Sequence, residues 1–211
     1  MDRTAQQSAR KPARVRIVDA AHELMLSIGL ARTTTKAIAK AAGCSEAALY
    51  KYFANKEELF VTVLQERLPK LGSLLERLLT EGVGNPGRTV EENLTDIARE
   101  AALFYDQTFP IAASLYADPQ LKRRHDDVLR EMGMGPHKPI EGLDAYLRAE
   151  QKAGRIGAAA DTYAAACLLL GACAQRSFAY DMSPDREPPQ PLDEFATGLA
   201  RTLLNGLAAR G

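Results

Sequence analysis

Between residues 17 and 28 the apolar residues Ile17, Val18, Ala21, Leu24, Met25 and Ile28 fall at i, i+1, i+4, i+7, i+8 and i+11, one stripe along an α-helix. The same spacing returns in Leu59, Phe60, Val63, Leu64, Leu68, Leu71, Leu74, Leu75 and Leu78, again from Val90 to Phe109, and in residues 192–209. No run of alternating β-branched residues bounded by hairpin turns occurs, so the chain must bury helix against helix and nothing else. An all-α fold follows.

Punctuation divides the pattern. Gly29 supplies a stop for the first helix, and Thr33, Thr34 and Thr35 offer hydroxyl caps for a short helix over 36–42 with Ile38, Ala39 and Ala42 inward. Gly43 ends it. Ser45 can cap a third helix to Tyr52 that turns Ala48, Leu49 and Phe53 inward, and Asn55 with Glu58 forms a capping-box pattern opening a long helix that reaches nearly to Gly82, bent at Pro69. Pro110, Pro119, the stretch 133–139 and the 154–157 turn are expected to cut the remainder into further helices. Residues 161–181 form an Ala- and Gly-rich helix, and 183–191 a proline-rich loop. The expected division is a flexible basic arm at 1–13, a three-helix head at 14–56 and a helical body at 57–211 that binds ligand and dimerises.

The 211 residues carry zero net charge, but unevenly: residues 1–56 hold ten Lys or Arg against four acids, and the rest carries the matching negative surplus. A basic head on an acidic body suits a protein with one end against phosphate. No stretch approaches a membrane span and the N-terminus lacks the apolar core of a secretion signal, which points to the cytoplasm and to no membrane partner. Cys44, Cys167 and Cys173 have no metal-ligand spacing and read as reduced apolar fillers.

Helices over 35–42 and 45–52 around a glycine turn have the proportions of a helix-turn-helix, whose second helix can enter a major groove. The run TTKAIAKAAGCSEAALYKYFANKEEL, residues 34–59, with its Ala-Gly turn, its Leu49-Tyr50-Lys51-Tyr52-Phe53 segment and its Lys56-Glu57-Glu58-Leu59 ending, closely resembles the DNA-binding domain of the TetR family of bacterial regulators. The resemblance runs through about residues 14–60, and it implies fold and DNA binding for the head and only architecture for the body.

By that resemblance Thr34 or Thr35 and the start of the second helix touch phosphate, Tyr50 and Tyr52 reach the backbone, and Lys56 pairs with phosphate. The chemistry suits each role, since hydroxyls and helix N-termini donate to phosphate and lysine neutralises it. Lys36 and Lys40 could contact phosphate or face solvent. Base reading falls to Ser45, Glu46, Ala47 and Lys51. Glu46 could accept from a cytosine amino group or simply sit with the helix dipole. Two tyrosines bracketing Lys51 on an alanine-paved helix are hard to assign to a core, whereas Phe53 reads as a core plug. Arg10, Lys11, Arg14 and Arg16 suit either a groove-binding arm or a solubilising tail.

One recognition helix contacts few base pairs, so affinity calls for a homodimer spanning two half-sites of a palindromic operator. The small-residue helix (Ala165, Leu169, Ala172) and the last helix (Leu199, Leu203, Leu207) are the candidate dimer face, as the resemblance also implies; alternatively the alanine-rich helix is central to the monomer core. Phe104, Tyr105, Phe109, Tyr116 and Tyr146 could line a small-molecule cavity or form plain core. The family implies an inducer there and a repressor released by it. An enzyme is not expected: His22, His125 and His137 have no metal spacing, and no GxSxG, Walker loop or Rossmann glycine pattern occurs, so neither metal nor cofactor is expected. The competing reading is a helical ligand-binding or scaffolding module whose head binds protein rather than DNA.

Overall fold

The structure, a computed structural model, describes residues 11–67, 71–117, 119–131, 133–181 and 187–206. Residues 1–10 of the expected arm, Pro69 with its expected bend, and Leu207 lie outside the described residues. Among those described there are ten α-helices and no strand: α1 (Ala13–Ile28), α2 (Thr35–Ala41), α3 (Glu46–Leu49), α4 (Lys56–Arg67), α5 (Leu71–Arg77) running into a π-helical turn Leu78–Gly82, α6 (Val90–Ala117), α7 (Pro119–Glu131), α8 (Lys138–Lys152), α9 (Thr162–Asp181) and α10 (Leu192–Asn205). Two compact units form, one of residues 1–68 with 107–135 and one of 69–106 with 136–211.

In the first unit α1 buries four of the six residues of the expected stripe, while Leu24 is half-buried and Ile28, in the last turn, is 40% exposed. Ile17, Val18, Ala21 and Met25 pack with Leu30, Ile38, Leu49, Phe53, Leu59, Phe60 and Val63 into one apolar cluster. Thr34 is the residue that caps α2, accepting the Ala37 N–H at 3.1 Å. The end of α2 closes by two backbone bonds, Cys44 N–H to the Ala39 carbonyl at 2.9 Å and Gly43 N–H to the Lys40 carbonyl at 3.2 Å. This pairing needs a left-handed residue, which Gly43 supplies at φ +65° without a Cβ penalty. Ser45 then caps α3 by accepting the Ala48 N–H at 3.1 Å. The expected helix to Tyr52 is shorter as observed: α3 ends at Leu49, and Lys51 and Tyr52 follow in tightened i to i−3 bonds.

Asn55 accepts the Glu58 N–H at 2.7 Å, as the capping pattern requires, but Glu58 reaches one residue further back and takes the Ala54 N–H at 2.6 Å. Against α4 lies α7, whose His125 is buried, a burial that lowers its basicity.

The second unit's core draws on α5, α6, α8, α9 and α10, from Leu74, Leu94, Ile97, Leu143, Tyr146, Leu169, Leu170 and Ala196 among others. The alanines explain its density. Ala98 and Ala102 on α6 lie so close to α9 that the Cys173 thiol reaches the Ala98 carbonyl at 3.3 Å and the Ser177 hydroxyl the Ala102 carbonyl at 3.4 Å. A proper capping box, Thr89 with Glu92, opens α6: each accepts the other's backbone N–H, at 3.1 and 2.7 Å. Pro110, expected to end this helix, lies inside it. An interior proline costs about 3 kcal/mol, but it falls on one turn of 28 residues, and burial of Val90, Leu94, Ile97, Ala98, Ala101 and Ala102 outweighs it.

Candidate nucleic-acid interface

Since Leu49 and Phe53 are buried in the head, the remaining faces of α3 and its following turn are directed elsewhere. Ser45, Ala47, Lys51, Tyr50 and Tyr52 are exposed, the two tyrosines at 48% and 46%. Lys36 and Lys40 on α2 are exposed as well, and Thr34 beside them offers its O–H outward, the cap having used only its oxygen as acceptor. The structure therefore brings Thr34, Lys36, Ser45, Ala47, Tyr50, Lys51 and Tyr52 to the surface of a single unit.

Two expected contacts are placed differently from the rest. Thr35 and Glu46 are half-buried and bonded to one another, the Thr35 hydroxyl donating to the Glu46 carboxylate, with the Tyr50 hydroxyl donating to Thr35 Oγ1 at 3.5 Å. Glu46 lies in the first turn of α3, where its charge also complements the helix dipole. Lys56, at the start of α4, is half-buried with its ammonium 4.9 Å from the Phe60 ring centroid.

Three of the basic residues that suggested an arm, Lys11, Arg14 and Arg16, are engaged within the fold, and Arg10 lies outside the described residues. Lys11 pairs with Asp19 at 2.7 Å, and Arg14 grips Glu66 through both terminal nitrogens at 2.6 and 3.2 Å while lying over Phe53. Arg16 donates to the Ala42 carbonyl at 3.0 Å and so closes the end of α2.

A cleft of about 420 Å³ opens beside this surface, lined by Ala31, Tyr50, Ala54, Asn55, Lys56, Glu57 and Arg124. Arg124 comes from α7, far along the chain, and no motif signals it; only folding places it against Glu57 of α4.

The body's candidate residues do not converge on a described cleft. Tyr146 is fully buried, its hydroxyl accepting from Asn93 Nδ2 at 2.8 Å, and burial pushes its ionisation upward. Phe104 and Tyr105 meet edge to face at 5.4 Å and are half-buried; burial, then the neighbouring Cys173, pushes the Tyr105 hydroxyl up to about 12. Phe109 is half-buried, whereas Tyr116 is 74% exposed with the Lys122 ammonium 5.6 Å from its ring. A second cleft, about 500 Å³, is lined by the side chains of Arg88, Thr89, Glu91, Glu92, Thr95, Asp96 and Thr197. Among the described residues no group of three or more His, Cys, Asp or Glu could hold a metal ion, and no helix is long and apolar enough to cross a membrane.

On α9 the inward face carries Leu169 at zero exposure, with Ala165 and Ala172 half-buried. Tyr163, Leu168 and Phe178 form the exposed side of the same helix, and Leu204 is exposed on α10 beyond the half-buried Leu199 and Leu203. Sequence periodicity missed these because α9 is apolar on both sides, so nothing in its pattern says which side the monomer uses.

The sequence profile of bacterial regulatory proteins of the tetR family matches residues 17–63, the helices that build this head. Over these residues the head is similar to the tetR family. The HTH-type transcriptional regulator YvkB of Bacillus subtilis is 42% identical over 72 residues, 34% of this chain and 37% of that protein. The chain thus spans little more than a third of that relative's length. The fatty acid metabolism regulator protein of Bacillus subtilis is 24% identical over 168 residues, 73% of this chain and 84% of the relative. A crystal structure of the transcriptional regulator FadR from Bacillus subtilis, in complex with stearoyl-CoA, superposes with a TM-score of 0.66 at 21% identity, covering 92% of this chain and 99% of that one. That likeness shows a shared fold over most of the chain.

Proposed function

We propose that this chain is a sequence-specific, homodimeric transcriptional repressor that binds a palindromic operator and is released by a small molecule. The observation that carries the reading is the Tyr50-Lys51-Tyr52 turn: three large side chains exposed together at the end of a capped helix whose neighbouring Leu49 and Phe53 are buried. In this reading Lys51, Ser45 and Ala47 face base edges, and Thr34, Thr35, Lys36, Tyr50, Tyr52 and Lys56 hold the sugar-phosphate backbone. Glu46 belongs among the same residues through its bond to Thr35. The functional division is an arm at 1–13, a DNA-binding head at 14–56 and a ligand-binding, dimerising body at 57–211.

The dimer forms through α9 and α10. Ala165, Ala172, Leu199 and Leu203 border the face, Tyr163, Leu168, Phe178 and Leu204 supply its apolar centre, and Leu169 supports it from within; Leu207, outside the described residues, belongs to the same proposed set. Phe104, Tyr105, Phe109, Tyr116 and Tyr146 remain the residues for an inducer to engage, its differential affinity for two conformations shifting the population away from the DNA-binding one. The FadR complex makes long-chain acyl-CoA the first ligand class to test. The protein acts in the cytoplasm, where its operator is, without enzymatic activity.

Selection of bound sequences from random duplex DNA at two salt concentrations tests the reading. Recovery of one palindromic site is expected. No enrichment at low salt would favour a head that binds protein instead, a mode with no steep salt slope and no response to Tyr50 or Lys56 substitution.

A further inference from the structure

We infer that Arg124 is a DNA-contacting residue, and that the cleft it shares with Tyr50, Asn55 and Lys56 receives one phosphodiester of the duplex held by the recognition helix. The inference rests on the reading of the head as a duplex-binding domain, and adds a contact from outside the three-helix motif.

Two cations from different helices converge on this cleft, Lys56 from α4 and Arg124 from α7, against a single lining carboxylate, Glu57. Glu57 is nearly buried and meets Arg124 Nη1 at 3.4 Å, so it steers the arginine toward α4 while engaging one nitrogen of a guanidinium that carries five N–H donors. Arg124 stays 62% exposed, and a planar fork of that kind matches a phosphate's paired oxygens better than an ammonium does. Asn55 spends its carbonyl oxygen on the Glu58 N–H, which leaves its amide nitrogen to donate. Tyr50, whose hydroxyl is turned to Thr35, lines the cleft with its ring and belongs also to the exposed Tyr50-Lys51-Tyr52 turn. That continuity selects the occupant: a duplex lying on the turn runs its backbone past the cleft's mouth, whereas a free anion would have no reason to need the tyrosine.

The competing role for Arg124 is a clamp that only ties α7 to α4 through Glu57, and the two roles differ in sign. A clamp predicts that Arg124→Ala and Glu57→Gln act alike, since both break the pair. A phosphate contact predicts opposite effects: Arg124→Ala weakens DNA binding, while Glu57→Gln, which removes the competing carboxylate, keeps or strengthens it.

The experiment measures affinity for a selected duplex across a salt series, with the full-length protein and its Arg124→Ala, Arg124→Lys, Glu57→Gln and Lys56→Ala variants. Arg124→Ala should lower the slope of log affinity against log salt by about 0.9 per head, so that its deficit narrows about 3.5-fold for each fourfold rise in salt. Arg124→Lys should restore the slope. A weaker Arg124→Ala protein with an unchanged slope, or Glu57→Gln failing in the same direction, overturns the inference in favour of the clamp. Loss of stabilisation by inorganic phosphate in Arg124→Ala with the DNA slope intact overturns it in favour of a free-anion site. If Lys56→Ala lowers the slope and Arg124→Ala does not, this assignment alone fails; if the wild-type protein shows no salt slope, the duplex-binding reading falls and takes the assignment with it.

Discussion

The Thr35 hydroxyl, in the first turn of α2, donates to the Glu46 carboxylate in the first turn of α3, so the two helices of the motif are tied by side chains as well as by the turn between them. An acidic residue on the second helix of the motif is thereby explained without a base contact. Glu46→Ala should destabilise the protein by about 1 kcal/mol, read as a lowered melting temperature, while Glu46→Gln retains an acceptor and most of that stability. The selected DNA sequence should be the same for wild type and Glu46→Gln. A change of preference at one base position would assign Glu46 to base reading instead.

Lys51 and the residues around it should separate by the kind of loss they produce. Lys51→Ala is expected to relax preference at one position of the half-site, at about 1–3 kcal/mol, and Tyr52→Phe or Lys56→Ala to weaken binding to all duplexes alike. Affinities for the selected site and single-base variants of it decide the matter. An equal loss on every sequence for Lys51→Ala would end its base-reading role.

In the body, Glu150 has zero exposure and is bound by Arg155 at 2.6 and 2.8 Å and by the Gly84 N–H at 3.3 Å, while Arg155 also donates to the Asn85 and Arg88 carbonyls at 2.8 Å. Burial alone would raise the Glu150 carboxyl; its bonds to Arg155, Tyr146 and Gly84 outweigh that and hold it below its ordinary value. Arg155→Met leaves a buried charge without its partner and should cost about 3–5 kcal/mol in urea denaturation. Because the folded value is depressed, this stabilisation is fully present above the ordinary 4.5 and is lost as pH falls through the folded value. The gap between wild type and Glu150→Gln should therefore be constant near neutrality and close in acid; a gap unchanged through the acid limb would show that the charge contributes nothing.

Leu168 is 64% exposed on α9, so Leu168→Glu should leave the protomer's melting and helicity nearly intact while shifting sedimentation from dimer to monomer. A dimer that survives this change places the interface elsewhere. Leu169→Ala, by contrast, removes a fully buried side chain and should cost about 2–5 kcal/mol whatever the oligomeric state.

How much of this was legible varies by element. The head could be read almost entirely from the chain because its signals are local: a hydroxyl before each short helix, a glycine where φ must be positive, and an apolar stripe on α1. The length of α3 and the reach of Glu58 to Ala54 rather than Asn55 were not, since each turns on which of several nearby backbone groups wins a hydrogen bond.

By itself the sequence determined an all-helical chain, the caps and turn of the head, and the exposure of the tyrosines around Lys51, because helical periodicity and capping act over four or so residues. Tertiary structure alone decided that Arg14 and Arg16 brace the head, that α6 runs on through Pro110, that Leu169 turns inward and Leu168 outward, and that Arg124 meets Glu57. Those outcomes depend on packing between residues distant in the chain, where a locally ambiguous side chain takes the partner that folding brings to it.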